Sequence, residues 1–159
     1  MKIKVGFGFD VHQLKSGNSL NLGGIVIPHY KGTVGHSDAD VVIHSLIDAL
    51  FGAANLHDIG YHFPDNDQKY KDIDSKILLK QALALISEKS YSINNIDITI
   101  CLQTPKLMDY IEKMKKKLSE ILEMDTEDIS IKATTTEKLG YIGTEDGVSC
   151  YSVVLLIKK

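Results

Sequence analysis

The chain has 159 residues, 43% of them hydrophobic, and a formal net charge of −3 at pH 7. That is enough apolar sequence for one domain (1–159) with a core needing no disulfide or structural metal, and its mixed charges offer no basic stripe for nucleic acid. No apolar run has the length of a membrane span and no signal-peptide pattern opens the chain, so a cytoplasmic protein without a membrane partner is expected.

Residues 2–9 predict a strand that runs into "FGFDVH" (7–12), and "SLNLGGIVIP" (19–28) predicts two short strands around Gly23-Gly24. From Ser37 or Asp38 to about Ala54, cap residues precede the apolar density of a largely buried helix, which leads into a long polar loop, "NLHDIGYHFPDND". A second helix is expected from near Asp74 to about Ser90, carrying Ile77, Leu78, Ala82, Leu85 and Ile86 at helical spacing. "NIDITICLQ" (95–103) alternates like a half-buried strand. Thr104 as cap and Pro105 as first helical residue then open a third helix with the stripe Leu107, Ile111, Met114, Leu118 and Ile121. "KMKKK" (113–117) reads as its solvated face. "DISIKATTT" and "GVSCYSVVLLIK" complete the strands, and Cys101 and Cys150, lacking C-x-x-C spacing, read as reduced buried thiols. This order suggests an α/β (α+β) two-layer sandwich: a mixed four- to five-stranded sheet covered by helices on one face.

Strand alternation aims Asp10 and His12 the same way, while Phe9 and Val11 point oppositely. In the first helix Asp40, His44 and Asp48 fall at i, i+4 and i+8, a polar stripe that is either a water-facing surface or part of a site. Asp10, His12 and His44 together are a carboxylate and two imidazoles, a set suited to Zn²⁺ with one position left for substrate. "GFGFDV" is no dinucleotide fingerprint, since Val11 stands where the third glycine belongs. In "GHSDAD" (35–40), His36 and Ser37 are expected at the N-terminus of the first helix, as an anion site, a plain cap, or both. "DIGYHFPDND" (58–67) offers Asp58, Asp65 and Asp67, either as polyol-binding carboxylates or as an acidic turn. "KATTTEKLG" (132–140) offers hydroxyls and Glu137 to phosphate and a hard cation. His29, His57 and His62 read as ordinary loop histidines.

The ordered set "GFDVH", "HSDAD", "DIGYHFPD", "TPKL" and "KATTTEKLG", spread over nearly the whole chain, resembles the 2-C-methyl-D-erythritol 2,4-cyclodiphosphate synthase family of non-mevalonate isoprenoid synthesis. The resemblance implies a phosphorus–oxygen lyase that cyclises 4-diphosphocytidyl-2-C-methyl-D-erythritol 2-phosphate with release of CMP, and a homotrimer with sites between subunits. It implies Zn²⁺ on Asp10, His12 and His44, and a second divalent ion, Mg²⁺ or Mn²⁺, on Glu137 and the substrate phosphates. His36 and Thr135 match transition-state stabilisers. Matching substrate contacts are Asp10, Val11, His12, His36 and Ser37; Asp58, Ile59, Gly60, Phe63, Pro64, Asp65, Asn66 and Asp67; and Thr134, Thr135, Thr136, Glu137, Tyr141 and Thr144. Leu102, Gln103, Thr104, Pro105, Lys106, Leu107 and Met108 match the cytidine pocket. Thr144 stands where many members have an arginine near the phosphates. Tyr151 replaces a glutamate that some members carry, beside the aromatic position matched by Phe9, which argues against an isoprenoid diphosphate in the central cavity. The alternatives are a zinc phosphoester hydrolase on the same three ligands and a trimeric nucleotide-binding module without turnover.

Overall fold

The computed structural model describes residues 2–159. Seven strands and five helices follow in chain order: β1 (Ile3–Ser16), β2 (Leu20–Leu22), β3 (Ile25–Ile27), β4 (Lys31–Thr33), α1 (Val41–Ala54), α2 (Ile59–His62), α3 (Ser75–Glu88), β5 (Tyr91–Cys101), α4 (Met108–Leu122), β6 (Ile129–Thr134), α5 (Gly140–Gly143) and β7 (Gly147–Lys158). Five strands form one mixed sheet in the order β4-β1-β7-β5-β6, in which only β5 and β6 run parallel, and β2 pairs β3 in a separate ribbon. The two-layer expectation is met. Among the described residues no helix is long and apolar enough to cross a membrane.

α1 is buried almost all round, with Val41, Val42, Ile43, Leu46, Ile47, Leu50 and Phe51 at 0% exposure. Such a helix must be covered on every side, and it lies on β1 and β7 with α3 packed against it. What lets it lie so close is glycine. A Cβ on Gly6 would stand 1.9 Å from Ala49 O, and one on Gly8 1.9 Å from Ser45 O. The helix-facing positions of β1 thus read Gly6, Gly8, Asp10, His12, with glycines under the body of α1 and chemistry under its first turn.

The opposite face of the sheet stays open, leaving Ile3, Val5, Phe7, Phe9, Val11, Tyr151 and Val153 exposed. The pairings Phe9↔Tyr151 and Phe7↔Val153 make this one contiguous apolar surface.

Four boundaries differ from the sequence reading. β1 runs on to Ser16 because β7 pairs with it as far as Gln13 and β4 beyond. α1 begins at Val41, not at Ser37 or Asp38, because the cap is Asp40. Its carboxylate is fully buried and accepts N–H bonds from Val42, Ile43, Gly23 and Gly24 at 2.7–3.1 Å, clamping the β2–β3 turn to the helix start. Burial and the Asp38 charge raise the Asp40 carboxyl above the usual range, against those N–H bonds. α4 begins at Met108, not at Thr104, because Thr104 Oγ1 donates to Glu145 Oε1 (2.9 Å) instead of capping. The polar loop after α1 holds one short helix, α2, capped by Asp58. Of the 113–117 lysines, Lys113 and Lys116 are exposed, while Lys115 and Lys117 are half-buried and flank the stripe of Met114, Leu118, Ile121 and Leu122. Both cysteines are free thiols, and burial pushes Cys150 up to about 12.

Gly8→Ala is expected to lower stability by about 2 kcal/mol or more, since backbone rather than a flexible side chain blocks the new methyl. Urea unfolding measures this, and an unchanged midpoint would show that α1 does not press on β1 here.

Candidate metal centre and active-site cleft

Asp10 and His12 come from adjacent same-face positions of β1, and His44 sits one turn into α1, directly over them. Asp10 Oδ2 lies 2.9 Å from His12 Nε2 and 3.2 Å from His44 Nδ1, and the two imidazole nitrogens are 3.1 Å apart. Tetrahedral zinc ligands at about 2.0–2.1 Å from the ion stand roughly 3.3 Å from one another, so the three atoms are placed as ligands of one metal ion. Their mix of imidazole and carboxylate also fits the ion.

The electrostatics agree. Burial opposes ionisation of Asp10, yet the His12 and His44 imidazoles, which donate to it and carry positive charge in their protonated form, hold its carboxyl at about 2. Burial opposes protonation of His12, yet the Asp10 carboxylate raises its pKa above the ordinary histidine value.

Each of the two histidines is held from behind. His12 Nδ1 donates to Val34 O (3.0 Å). His44 Nε2 meets Ser75 Oγ at 2.8 Å and Ser37 Oγ at 3.1 Å, and Ser75 is tied through both N–H and O–H to the Asp38 carboxylate. The sequence reading missed Asp38 and Ser75. Asp38 lies inside a quoted motif, but nothing in the spacing links it to a serine 37 residues on. Asp40 and Asp48, the other members of the helical stripe, are neither ligands nor surface groups: Asp40 is the cap, and Asp48 accepts the Ile59 N–H at 3.1 Å, fixing the start of α2.

The triad opens onto a cleft of about 440 Å³ that also takes in His36, Ser37, Ile59, Gly60, Phe63 and Asp65. His36 Nε2 donates to Asp67 O at 3.2 Å. Ser37 does not cap α1; it faces the cleft beside His44. The carboxylates of Asp58 and Asp67 cap local turns through Tyr61 N and Lys69 N, both at 2.9 Å, which leaves Asp65 as the carboxylate lining the cleft. Pro64 and Asn66 stand in the same loop, and Val11 lies on the opposite, apolar face.

A second cavity, about 370 Å³, is lined by Leu102, Gln103, Pro105, Lys106, Leu107 and Met108 with Thr134 and Thr135. β5 and β6, which carry it, lie two and three strands from β1, roughly 10–14 Å at a strand spacing of about 4.8 Å. Glu137 is exposed in the turn after β6, its N–H bonded to Thr135 Oγ1 (3.3 Å), while Thr136 Oγ1 donates to Leu139 O (2.7 Å). Tyr141 O–H pairs with Ser149 Oγ, and Thr144 Oγ1 donates to Asp146 Oδ2 (2.6 Å). Glu145 joins the two regions, accepting from Thr104 at one oxygen and from Tyr30 O–H (2.6 Å) at the other. A further hollow of about 630 Å³ between α3 and α4 is lined by none of these residues.

Comparison with known proteins gives the same picture. Residues 3–157 match the model of the YgbB family. A Bacteroides fragilis protein named 2-C-methyl-D-erythritol 2,4-cyclodiphosphate synthase is 62% identical over 156 residues, covering 98% of each chain. The Cytophaga hutchinsonii protein of that name is 56% identical over 99% of each. Among solved structures, the Plasmodium falciparum IspF CDP complex superposes with a TM-score of 0.87 at 38% identity, covering 99% of this chain and 97% of that one. The bifunctional IspDF of Campylobacter jejuni gives 0.96 at 44% identity over 99% of this chain, which spans 43% of that protein's length. With its whole length matched and its three ligand atoms converging, the chain belongs to the YgbB family.

Proposed function

We propose that this protein is a metal-dependent cyclase that converts 4-diphosphocytidyl-2-C-methyl-D-erythritol 2-phosphate to 2-C-methyl-D-erythritol 2,4-cyclodiphosphate and CMP. The observation that carries the reading is the convergence of Asp10, His12 and His44 at one end of a polar cleft, in a chain 62% identical to a protein named for that product.

In this reaction the substrate's 2-phosphate oxygen forms a bond to the β-phosphorus as the bond to the CMP oxygen breaks. The nucleophile is already an anion and needs no protein base. The difficulty is to bring two repelling phosphates into line, so positioning dominates, and effective molarities of about 10⁵–10⁸ M are the scale on which it acts. Asp10, His12 and His44 would hold Zn²⁺, which supplies Lewis-acid polarisation and charge neutralisation to a phosphate oxygen. His36, oriented by Asp67 O, and Ser37 face the phosphates from the α1 side of the cleft. Asp65 offers acceptors to the polyol hydroxyls. The cavity at Leu102–Met108 takes the cytidine, with Thr134, Thr135 and Thr136 on the phosphate side. Glu137 contributes a single carboxylate, so a second cation, Mg²⁺ or Mn²⁺, would draw its remaining ligands from the substrate.

The active unit in this reading is a homotrimer. Its support is the open apolar face of β1 and β7, far more hydrophobic than a water-facing sheet side, and the separation of the metal cleft from the nucleotide cavity on one chain. A neighbouring copy seated on that face would complete the cleft from its own nucleotide edge. Tyr151 lies against Phe9 with ring centroids 5.0 Å apart and planes tilted by 43°, aromatic rather than anion-handling chemistry, which supports the expectation of no isoprenoid diphosphate on this face.

A ³¹P NMR time course with zinc, Mg²⁺ and substrate is expected to show cyclic diphosphate and CMP. His36→Ala should slow turnover by about 10²-fold, as for one preorganised donor, and His44→Ala by more. Linear diphosphate would establish a hydrolase, and bound but unchanged substrate a binding module. Zinc affinity is expected to fall with decreasing pH by about tenfold per unit once His12 protonates, because the ion must displace that proton, while Asp10 at about 2 stays ionised throughout. Zinc titrations at several pH values measure it; a flat profile would remove His12 from the ligand set. Phe7→Glu should convert a three-copy sedimentation mass to one copy, and a single-copy mass for the unaltered protein would refute the trimer.

A further inference from the structure

The tautomer of a histidine decides which ring nitrogen can bind a metal ion. At His12 the question is closed by the backbone: Val34 O can only accept, so Nδ1 carries the proton and Nε2 turns its lone pair to the centre. At His44 the partners of Nε2 are hydroxyls, which donate or accept with equal ease. Here a second pair of residues intervenes. The Ser75 hydroxyl has one proton, and it is committed to Asp38 Oδ1, part of a carboxylate with no proton of its own to give. The Ser75 N–H fixes the other oxygen of that carboxylate at 3.0 Å, and Asp38 Oδ1 also receives the Asp40 N–H at 3.1 Å, so Asp38 is held in place by two backbone groups. Only lone pairs of Ser75 Oγ remain for His44. Ser75 is fully buried, so water does not compete for them.

We propose that Asp38, acting through Ser75, is the positioning residue that selects the metal-binding tautomer of His44. With the Ser75 proton held by Asp38, the 2.8 Å contact is a donation from His44 Nε2–H, and Nδ1 faces Asp10 and His12 as a bare lone pair. The same logic reaches Ser37. Its Oγ lies 3.1 Å from a nitrogen that already donates, and it accepts from Ala39 N at 3.3 Å, so its own proton is left for an acceptor in the cleft. Such outer partners of metal-binding histidines typically change metal affinity by about 10- to 100-fold when removed.

The inference rests on Asp10, His12 and His44 being a metal site, and the experiment separates the two. ¹⁵N NMR of histidine-labelled, metal-free full-length protein reads the His44 tautomer directly, and chelator competition reads zinc affinity. The unaltered protein is expected to carry the His44 proton on Nε2. Asp38→Ala removes the acceptor that holds the Ser75 proton and frees that proton to turn toward His44 Nε2, so it should populate the Nδ1–H form and weaken zinc binding by about 10- to 100-fold. Ser75→Ala, which removes the hydroxyl outright, should weaken zinc in the same range. A purely structural role would lower Tm and leave the tautomer unmoved, which would overturn the proposal. So would a His44 protonated on Nδ1 in the unaltered protein, a measurement that needs no variant to fold. An unaltered protein with the Nε2–H tautomer that binds no zinc would refute the metal site and leave the tautomer selection standing.

Discussion

The contact between the backbone of α1 and the backbone of β1 is the constraint on which the rest of this structure depends. Gly6 and Gly8 leave no side chain between them, and the helix settles with Ala49 O and Ser45 O where two Cβ atoms would otherwise stand. At that separation a histidine on the first turn of the helix reaches the strand. A residue with any side chain at Gly8 would lift α1 and draw His44 away from Asp10 and His12. The approach of His44 to Asp10 and His12 is therefore set by packing several residues away, and the buried apolar positions of α1 supply the hydrophobic force that holds the helix down.

The polar groups gathered at the N-terminal end of α1 are tolerated because nearly every one has an assigned partner. Asp40 satisfies two helix N–H groups and two hairpin N–H groups with one carboxylate. Asp38 serves Ser75 and the Asp40 N–H, and Asp48 holds Ile59 and with it the α2 loop that walls the cleft. Three carboxylates in eleven residues thus anchor three different segments around Asp10, His12 and His44, while the Asp10 carboxylate from β1 faces the two imidazoles.

The sheet separates two chemistries. β1 carries Asp10 and His12 of the triad that could hold a metal ion, and the C-terminal ends of β5 and β6, on the far side of β7, carry the second cavity. Glu145 ties Tyr30 beside β4 to Thr104 beside β5, linking the edge strand to the segment before α4.

Periodicity and caps were enough to read every strand but the short edge strand β4, the three long helices, the two-layer arrangement and the same-face pairing of Asp10 and His12 from the chain, because these are local consequences of backbone geometry. The motif set likewise pointed to the family and to Asp10, His12 and His44 as a group that could hold a metal ion. What local rules could not decide was which of several equivalent groups a neighbour would claim. Ser37, Asp38 and Asp40 are all competent helix caps, and only the tertiary positions of Gly23, Gly24 and Ser75 assign Asp40 to the helix and leave Asp38 and Ser37 to the site. Thr104-Pro105 has the form of a helix start, but Glu145, 41 residues on, takes the threonine hydroxyl. In β1 the large apolar side chains would be expected to face the core, yet the glycine side does, because a helix needs close approach more than it needs a leucine beneath it. Residue type and spacing determined the elements and the ligand set; the hydrogen-bond partners, and hence the boundaries and the tautomers, were decided only when distant segments met.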